Sequence, residues 1–493
     1  MVRSSADPVP GKAGRMTKDT NLTEAEVSAI VRSFEERWDL FSKVVDGVCL
    51  WQLIRFEVSL RKQRGGLIRA PLSRKRLVIG VLFGILQYLL PRRRYHYLCK
   101  TYDSAHRGIK ADQAVDIYFD ALCDEIHGGA KMSSYDAAGF EDRTYIARRR
   151  PVFDDTSIIV LSAILGRYFP FKSTDPVFNL LADALGQEFG YSDYTAGRLA
   201  RHYNVFRWRS YLYGLVLRKF APAVVLVPDS GQFALMDACR NREVAFVELQ
   251  HGVFTAVHPN VLPKELSSKT DVIKPSILAA YGNFTREVLQ GTALEAEGRI
   301  EAVGALSIER ARLLRDSMFQ PSEEIKVTIT TQGVAAQQLC HFVILFLQNA
   351  SVPIKIHIKL HPAYDVEEEL YAQYLGHEPR VEIISGKSTR STHELIALSD
   401  LHLSISSASH YDALGIGTPT GIIPFETYQS VAAILQHDGA FLVDNPERFA
   451  AIVSRRGWPI VPVKTKDHFF AQGFLGNMTR LLHPQAEGYE ATK

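Results

Sequence analysis

Short β-branched runs alternate with helix-like stretches along the C-terminal half of the chain. The runs are Ile325–Thr331, Ile354–Leu360, Val381–Ile384, Leu401–Ile405 and Gly421–Ile423. Between and after them lie Ala335–Leu347, Val366–Tyr374, Ser391–Leu398, a helix from about His410, Val431–Gln436 and Pro446–Val453, all with helical character. Ser391 or Thr392 supplies an N-cap for the third of these. Strand–helix units with short connections leave a parallel sheet covered on both faces as the expected architecture. The reading is a Rossmann-like domain from about residue 300 to 470.

The preceding half repeats the pattern less regularly. Val224–Val227, Val244–Leu249, Ile277–Ala280 and Ile300–Val303 read as strands, and each runs into a polar or glycine-containing turn. Tyr95–Thr101 reads as a first strand, Ala111–Ile126 as an amphipathic helix, and 158–220 as mostly helical. A chain of 493 residues exceeds one ordinary core. The expectation is α/β, with two Rossmann-like domains facing across a cleft and extra helices in the first. The boundaries are a disordered leader over 1–21, a first domain over 22–304, a second over 305–475 and a tail over 476–493.

Composition narrows the function classes. With 46% hydrophobic and 23% charged residues the chain reads as an ordinary globular protein, and a net charge of +3 gives no argument for nucleic acid. The charge is unevenly placed, however. Between Arg61 and Arg107 stand twelve Lys or Arg and one acid, Asp103. Within that stretch Leu77–Leu90 is almost wholly apolar, preceded by Arg74-Lys75-Arg76 and followed by Pro91-Arg92-Arg93-Arg94. As a helix it reaches roughly 21 Å, short of a ~30 Å hydrocarbon core. It is either a buried helix with solvated ends or an interfacial segment meeting anionic headgroups over 74–94. Five dispersed cysteines without CxxC pairing point to reduced thiols in a cytosolic compartment and away from zinc.

Strand ends are where an open α/β sheet binds ligands, and several here carry chemistry. Lys359-Leu360-His361-Pro362 ends one strand, with Lys359 and His361 on one face. Ser404–Ser409 ends another and leads directly into a helix, whose free N–H groups favour an anion. Ser406, Ser407 and Ser409 are the serines placed nearest a phosphate, with Gln332 and Gly333 at the first strand–helix turn of the same domain. Capping of the next helix uses the same backbone groups and accompanies either role. In the first half, Glu248-Leu249-Gln250-His251-Gly252 sets an imidazole at a strand end, and Asp229 ends the neighbouring strand. A carboxylate and an imidazole on one rim suit a general base that deprotonates a hydroxyl. Asp229, His251 and Glu248 are therefore the catalytic candidates. With no P-loop, HExxH, GxSxG or strand-end acidic pair in view, no metal is called for.

These elements resemble bacterial GT-B glycosyltransferases of capsule and lipopolysaccharide assembly. The likeness rests on Gln250-His251-Gly252, the KLHP element and the serine-rich turn, and it covers roughly 221–453. The His-Pro element and the serines are similar to those of sialyltransferases, polysialyltransferases and Kdo transferases, which use CMP-activated sugars, and of CDP-glycerol-dependent polymerases. The resemblance implies nucleotide contacts from Lys359, His361, Pro362 and the serines. It implies acceptor contacts across the cleft from Gln250 and Gly252, and from His106 and Arg107 in an expected strand-to-helix turn. It further implies no cofactor beyond a nucleotide-sugar co-substrate, a glycan or lipid-linked glycan acceptor, and a site on the cytoplasmic face of the membrane. The acidic motif of sialyltransferases is not cleanly present, so inversion and retention both stay open. A nucleotide-sugar epimerase, a UDP- or CDP-donor transferase and an inactive assembly partner are the alternatives.

Overall fold

The structure, a computed structural model, describes residues 22–64, 74–90, 94–102, 106–110, 113–134, 151–229, 231–361, 368–386, 388 and 390–483. The expected leader over 1–21 lies outside them.

Two parallel sheets organise the molecule. The first is built from β1 (Tyr97–Tyr102), β2 (Gly129–Ser134), β3 (Pro151–Asp154), β4 (Val224–Val227), β5 (Ala245–Leu249), β6 (Ile277–Ala280) and β7 (Ile300–Ala302). Its spatial order is β7-β6-β5-β4-β1-β2-β3. The second sheet comprises β8 (Ile325–Thr330), β9 (Ile354–Lys359), β10 (Val381–Ile384), β11 (Leu401–Ser404), β12 (Thr420–Ile422) and β13 (Ala440–Leu442), in the order β10-β9-β8-β11-β12-β13. All pairings within both sheets are parallel. Each sheet reads outward from its first strand in both directions, which is the doubly wound Rossmann order. The fold is α/β, with two Rossmann-like parallel sheets.

The strands form where β-branched and aliphatic residues are buried on both faces. Ile325, Val327 and Ile329 of β8 are fully covered, as are Ile354, Ile356 and Ile358 of β9. Three long helices, Thr156–Tyr168, Pro176–Phe189 and Ala196–Phe220, fill the interval between β3 and β4. They pack with the N-terminal helices Glu24–Trp38 and Leu50–Arg64 around Phe34, Trp51, Phe178 and Tyr203.

Three expectations are revised. Residues 111–126 do not form one helix: His106–Lys110 and Gln113–Asp116 pair as an antiparallel hairpin, and only Asp120–Glu125 is helical. The strand-to-helix turn expected at His106 and Arg107 is therefore a strand. The apolar pattern over 111–126 arises because Phe119, Leu122 and Cys123 reach the core from the short helix that follows the hairpin. The expected tail from 476 belongs to helix Phe474–Leu482, whose Phe474, Met478 and Leu482 pack with Tyr97, Cys99 and Leu249 of the first domain. Helix Phe474–Leu482 thus lies back on the first domain. Of the two readings left open for Leu77–Leu90, the buried helix is not what forms: in helix Arg74–Leu89, Val78, Leu82, Leu86 and Leu89 face outward.

The crossings between domains are close. Gly304 has φ +86, and a Cβ there would stand 2.2 Å from the carbonyl oxygen of Ala471. Arg312, buried, donates to Gly415 O, Lys466 O and Phe470 O, tying helix Leu306–Met318 to the returning chain. Tyr281 stacks on Phe470 and Phe284 on Phe469, so aromatic rings of the first domain lie on the returning segment.

Candidate active site

In both sheets the strand order reverses beside the first strand, and the reversal opens a crevice at the carboxyl ends. In the first sheet the crevice lies between β1 and β4, and Tyr102 donates its hydroxyl hydrogen to Asp229 Oδ2 across it at 2.6 Å. In the second it lies between β8 and β11, and Ser406 Oγ donates to Gln332 Oε1 across it at 2.8 Å. The residues expected to act from these two turns therefore occupy equivalent places in the two domains.

On the first-domain side, Asp229 has its oxygens engaged. Besides Tyr102, Gln232 Nε2 donates to it at 2.8 Å and the backbone N–H of Gly231 at 2.7 Å. Glu248, on the adjacent strand, is in a different state. Its Oε1 is buried with no hydrogen-bond partner among the described residues. Burial, aided by the charge of Asp229, pushes its pKa up to about 8, so the carboxyl keeps its proton at neutral pH. Deeper in the same domain, Lys100 pairs with Asp155 and Ser134, and Tyr213 donates to Asp155 at 2.7 Å. That network compensates a buried ammonium.

Gln250 ties two strand ends together. Its Oε1 accepts from Tyr281 N at 2.7 Å and Thr285 Oγ1 at 2.9 Å, while its Nε2 donates to Gly252 O. This clamp presents His251, which is exposed, with Nδ1 3.3 Å from Leu249 O and its ring 5.8 Å from that of Phe254. His258, further along the loop, is held down to about 4, chiefly by burial and then by the neighbouring His251. The side chains of His106 and Arg107 lie outside the described residues.

On the second-domain side the serines divide. Ser406 is half-buried and also accepts from Thr427 Oγ1 at 2.8 Å. Ser407 Oγ accepts the backbone N–H of Ser409 at 3.2 Å and so shapes the start of helix Ser409–Ile416. Ser409 is turned into the interior, 2.6 Å from Thr330 Oγ1 and 3.2 Å from His402 Nε2. Its hydroxyl fastens the helix to β8 and β11. Gly333, at φ +68, and Ala335, at φ +50, bend the chain out of β8 and keep the Gln332 turn tight. Lys359 donates to Ser385 O at 2.7 Å, and burial lowers its pKa. His361 follows β9, and Pro362 lies outside the described residues.

A cavity of about 150 Å³ lies between the domains. It brings together Gln250, His251 and Gly252 from one side with Ala408, Tyr411 and Asp412 from the other. His393 also lines it, with Nε2 3.3 Å from Asp412 Oδ2. Burial pulls the His393 pKa down, but the hydrogen bond and charge of Asp412 outweigh it and hold it above the usual imidazole value. The cavity thus has an imidazole from each domain. His393 and Thr427 were not among the residues singled out from the sequence. The first sits inside a capping box and the second in a left-handed turn, with no strand-end signature to mark either. Lys359, His361 and Asp229 do not line this cavity; they stand at neighbouring strand ends. No cluster of three or more His, Cys, Asp or Glu among the described residues is arranged to hold a metal ion.

No family model matches the chain, and no curated protein does. Solved structures with a similar course include the UDP-GlcNAc 2-epimerase from Methanocaldococcus jannaschii, at 13% identity over 79% of this chain and 99% of that one, TM-score 0.45. Staphylococcus aureus MnaA with UDP is similar at 10% identity over 80% of this chain and 98% of that one, TM-score 0.46. The wall teichoic acid polymerase TagF soaked with CDPG is similar at 10% identity over 86% of this chain and all of that one, TM-score 0.43.

Proposed function

We propose that the protein is a glycosyltransferase that moves a sugar from a nucleotide-activated donor to a glycan hydroxyl. The observation that carries this reading is the Gln332–Ser406 hydrogen bond across the β8/β11 crevice, beside the N-terminus of helix Ser409–Ile416. The crevice offers a diphosphate or phosphate ester side-chain hydroxyls, a tight glycine turn and the positive dipole end of helix Ser409–Ile416. Lys359 and His361 stand one strand away at the same edge.

In the reaction the acceptor oxygen attacks the anomeric carbon and the bond from that carbon to the nucleotide phosphate breaks. The leaving phosphate takes the electron pair, and the positive dipole end of helix Ser409–Ile416 stabilises its charge. His251, exposed in the cleft opposite, accepts the hydroxyl proton. Gln250 holds the turn from which it acts, through Tyr281 N, Thr285 Oγ1 and Gly252 O, and Asp229 and the protonated Glu248 stand at the two neighbouring strand ends. The KLHP and serine elements favour a CMP-activated sugar of the Kdo or sialic-acid type, with a bacterial surface glycan as acceptor.

A thermal-shift panel over CMP, CDP, UDP, GDP and dTDP tests the donor class, with CMP expected to give the largest stabilisation. Calorimetry then compares the wild type with His361→Ala, for which weaker nucleotide binding is expected; equal affinity would remove His361 from the site. Incubation of the activated sugar without acceptor separates transfer from epimerisation, since an epimerase still converts its substrate. A chain that binds none of the nucleotides would be an assembly partner instead.

A further inference from the structure

Helix Arg74–Leu89 is amphipathic in an inverted sense. The side that docks on the protein is made of small and polar residues. A Cβ on Gly80 would stand 2.8 Å from Thr156 Cβ, and one on Gly84 would stand 2.4 Å from Asp154 O, so the backbone lies directly against the start of helix Thr156–Tyr168. Gln87 Oε1 accepts the Asp154 N–H at 2.8 Å, and Tyr88 packs on the core under the ammonium of Lys219, 4.8 Å from its ring. The docking is tight, so the opposite face is outward by construction.

That face carries Val78, Leu82, Ile85, Leu86 and Leu89, spaced as one helical stripe. Leu82 is 62%, Leu86 58% and Leu89 73% exposed. A continuous aliphatic stripe left in water is costly and marks a contact surface. The helix begins on Arg74-Lys75-Arg76, Arg92-Arg93-Arg94 follow it in sequence, and no acid occurs from Val58 to Tyr102. Arg94 is exposed. At 16 residues the helix reaches about 24 Å. No helix among the described residues is long and apolar enough to cross a membrane.

We propose that this face lies on an anionic lipid surface, with the aliphatic stripe inserted between acyl chains and the flanking cations among the headgroups. Charge decides between this occupant and a second copy of the chain. Cations bracket the stripe at both ends, so parallel and antiparallel pairing of two such helices both bring like charges together. An anionic bilayer neutralises them in any orientation. The inference stands apart from the transfer reaction: it concerns where the molecule sits, whichever sugar it handles.

The test is sedimentation of the full chain with vesicles of phosphatidylcholine alone and with added phosphatidylglycerol. Binding is expected to the anionic vesicles, to weaken as salt rises, and to fall at least about tenfold in the double variant Leu82→Glu and Leu86→Glu. The paired variant Leu82→Gln and Leu86→Gln separates loss of apolar contact from charge repulsion and is expected to bind weakly too. Both variants should melt like the wild type, because the replaced side chains are already in water. Failure to bind anionic vesicles, or equal binding by wild type and both variants, overturns the proposal. So does a lipid-independent dimer in sedimentation velocity that these substitutions dissociate, which would assign the face to a second copy.

Discussion

Ser406 and Gln332 are 74 residues apart in the chain, yet their side chains meet at 2.8 Å across the point where the second sheet reverses its strand order. Tyr102 and Asp229 do the same in the first sheet at 2.6 Å. Each bond closes the floor of a crevice, and each pins a turn that the strands alone leave free. Ser406→Ala should therefore weaken nucleotide binding by about tenfold, or ~1.4 kcal/mol. Gln332→Ala should do the same, and the double variant should lose less than the sum because one bond is shared. Calorimetry on the three variants decides it; strictly additive losses would mean the two residues act separately.

Asp229 accepts from Tyr102, Gln232 and the Gly231 backbone. Removing the carboxylate in Asp229→Ala strands three donors and should lower stability by about 1–3 kcal/mol. Turnover should be lost while nucleotide affinity stays within twofold, since the residue belongs to the opposite domain. A denaturant titration and a binding isotherm on the same preparation measure both.

Glu248 keeps its proton up to about pH 8 in the fold, through burial and the nearby Asp229, but ionises near 4.5 when unfolded. The folded pKa is raised, so its contribution to stability is fully present below pH 4.5 and is lost as pH rises toward about 8. Glu248→Gln removes this dependence. Its melting temperature relative to wild type should therefore rise from pH 5 to pH 8. A difference that is flat across that range would show that the carboxyl is not desolvated.

His393 and Asp412 are 3.3 Å apart in the cleft, and the imidazole pKa is raised because the carboxylate outweighs burial. Asp412→Asn leaves burial opposed only by the charge of Glu394 and should lower the His393 titration midpoint. NMR of the ring protons against pH reads this directly, and an unchanged midpoint would sever the pair.

Gly304→Ala should be among the most damaging small substitutions. The site has φ +86, and the added methyl would meet the Ala471 carbonyl at 2.2 Å, which is backbone and cannot rotate away. Destabilisation of more than about 1 kcal/mol is expected, together with faster proteolysis near helix Phe474–Leu482. Wild-type protection of that helix would show that the crossing tolerates a shift.

Most of the second sheet was legible because its strands are short, β-branched and separated by helices with ordinary caps. Ile354–Lys359, Leu401–Ser404 and the Ser391 cap fall where the pattern puts them. The first domain was less legible for identifiable reasons. Gly129–Ser134 carries lysine, methionine and serines, because its buried Lys131 is neutralised by Asp120 rather than replaced by an apolar residue. The hairpin at 106–116 precedes a short helix, and together they imitate one amphipathic period. Helix Arg74–Leu89 was ambiguous in the opposite way: thirteen apolar or near-apolar positions from Leu77 to Leu90 gave no sign that its glycines, not its leucines, face the protein.

By itself the sequence determined the class of fold and the chemistry available at each strand end, because strand propensity, helix period and turn residues are local properties. Which strand ends are neighbours was decided only by tertiary structure. Strand order within a parallel sheet depends on crossovers tens of residues long, and nothing local encodes it. Pairing Ser406 with Gln332, Tyr102 with Asp229, and His393 with His251 across one cavity required both sheets to be wound and then closed by the returning helix Phe474–Leu482.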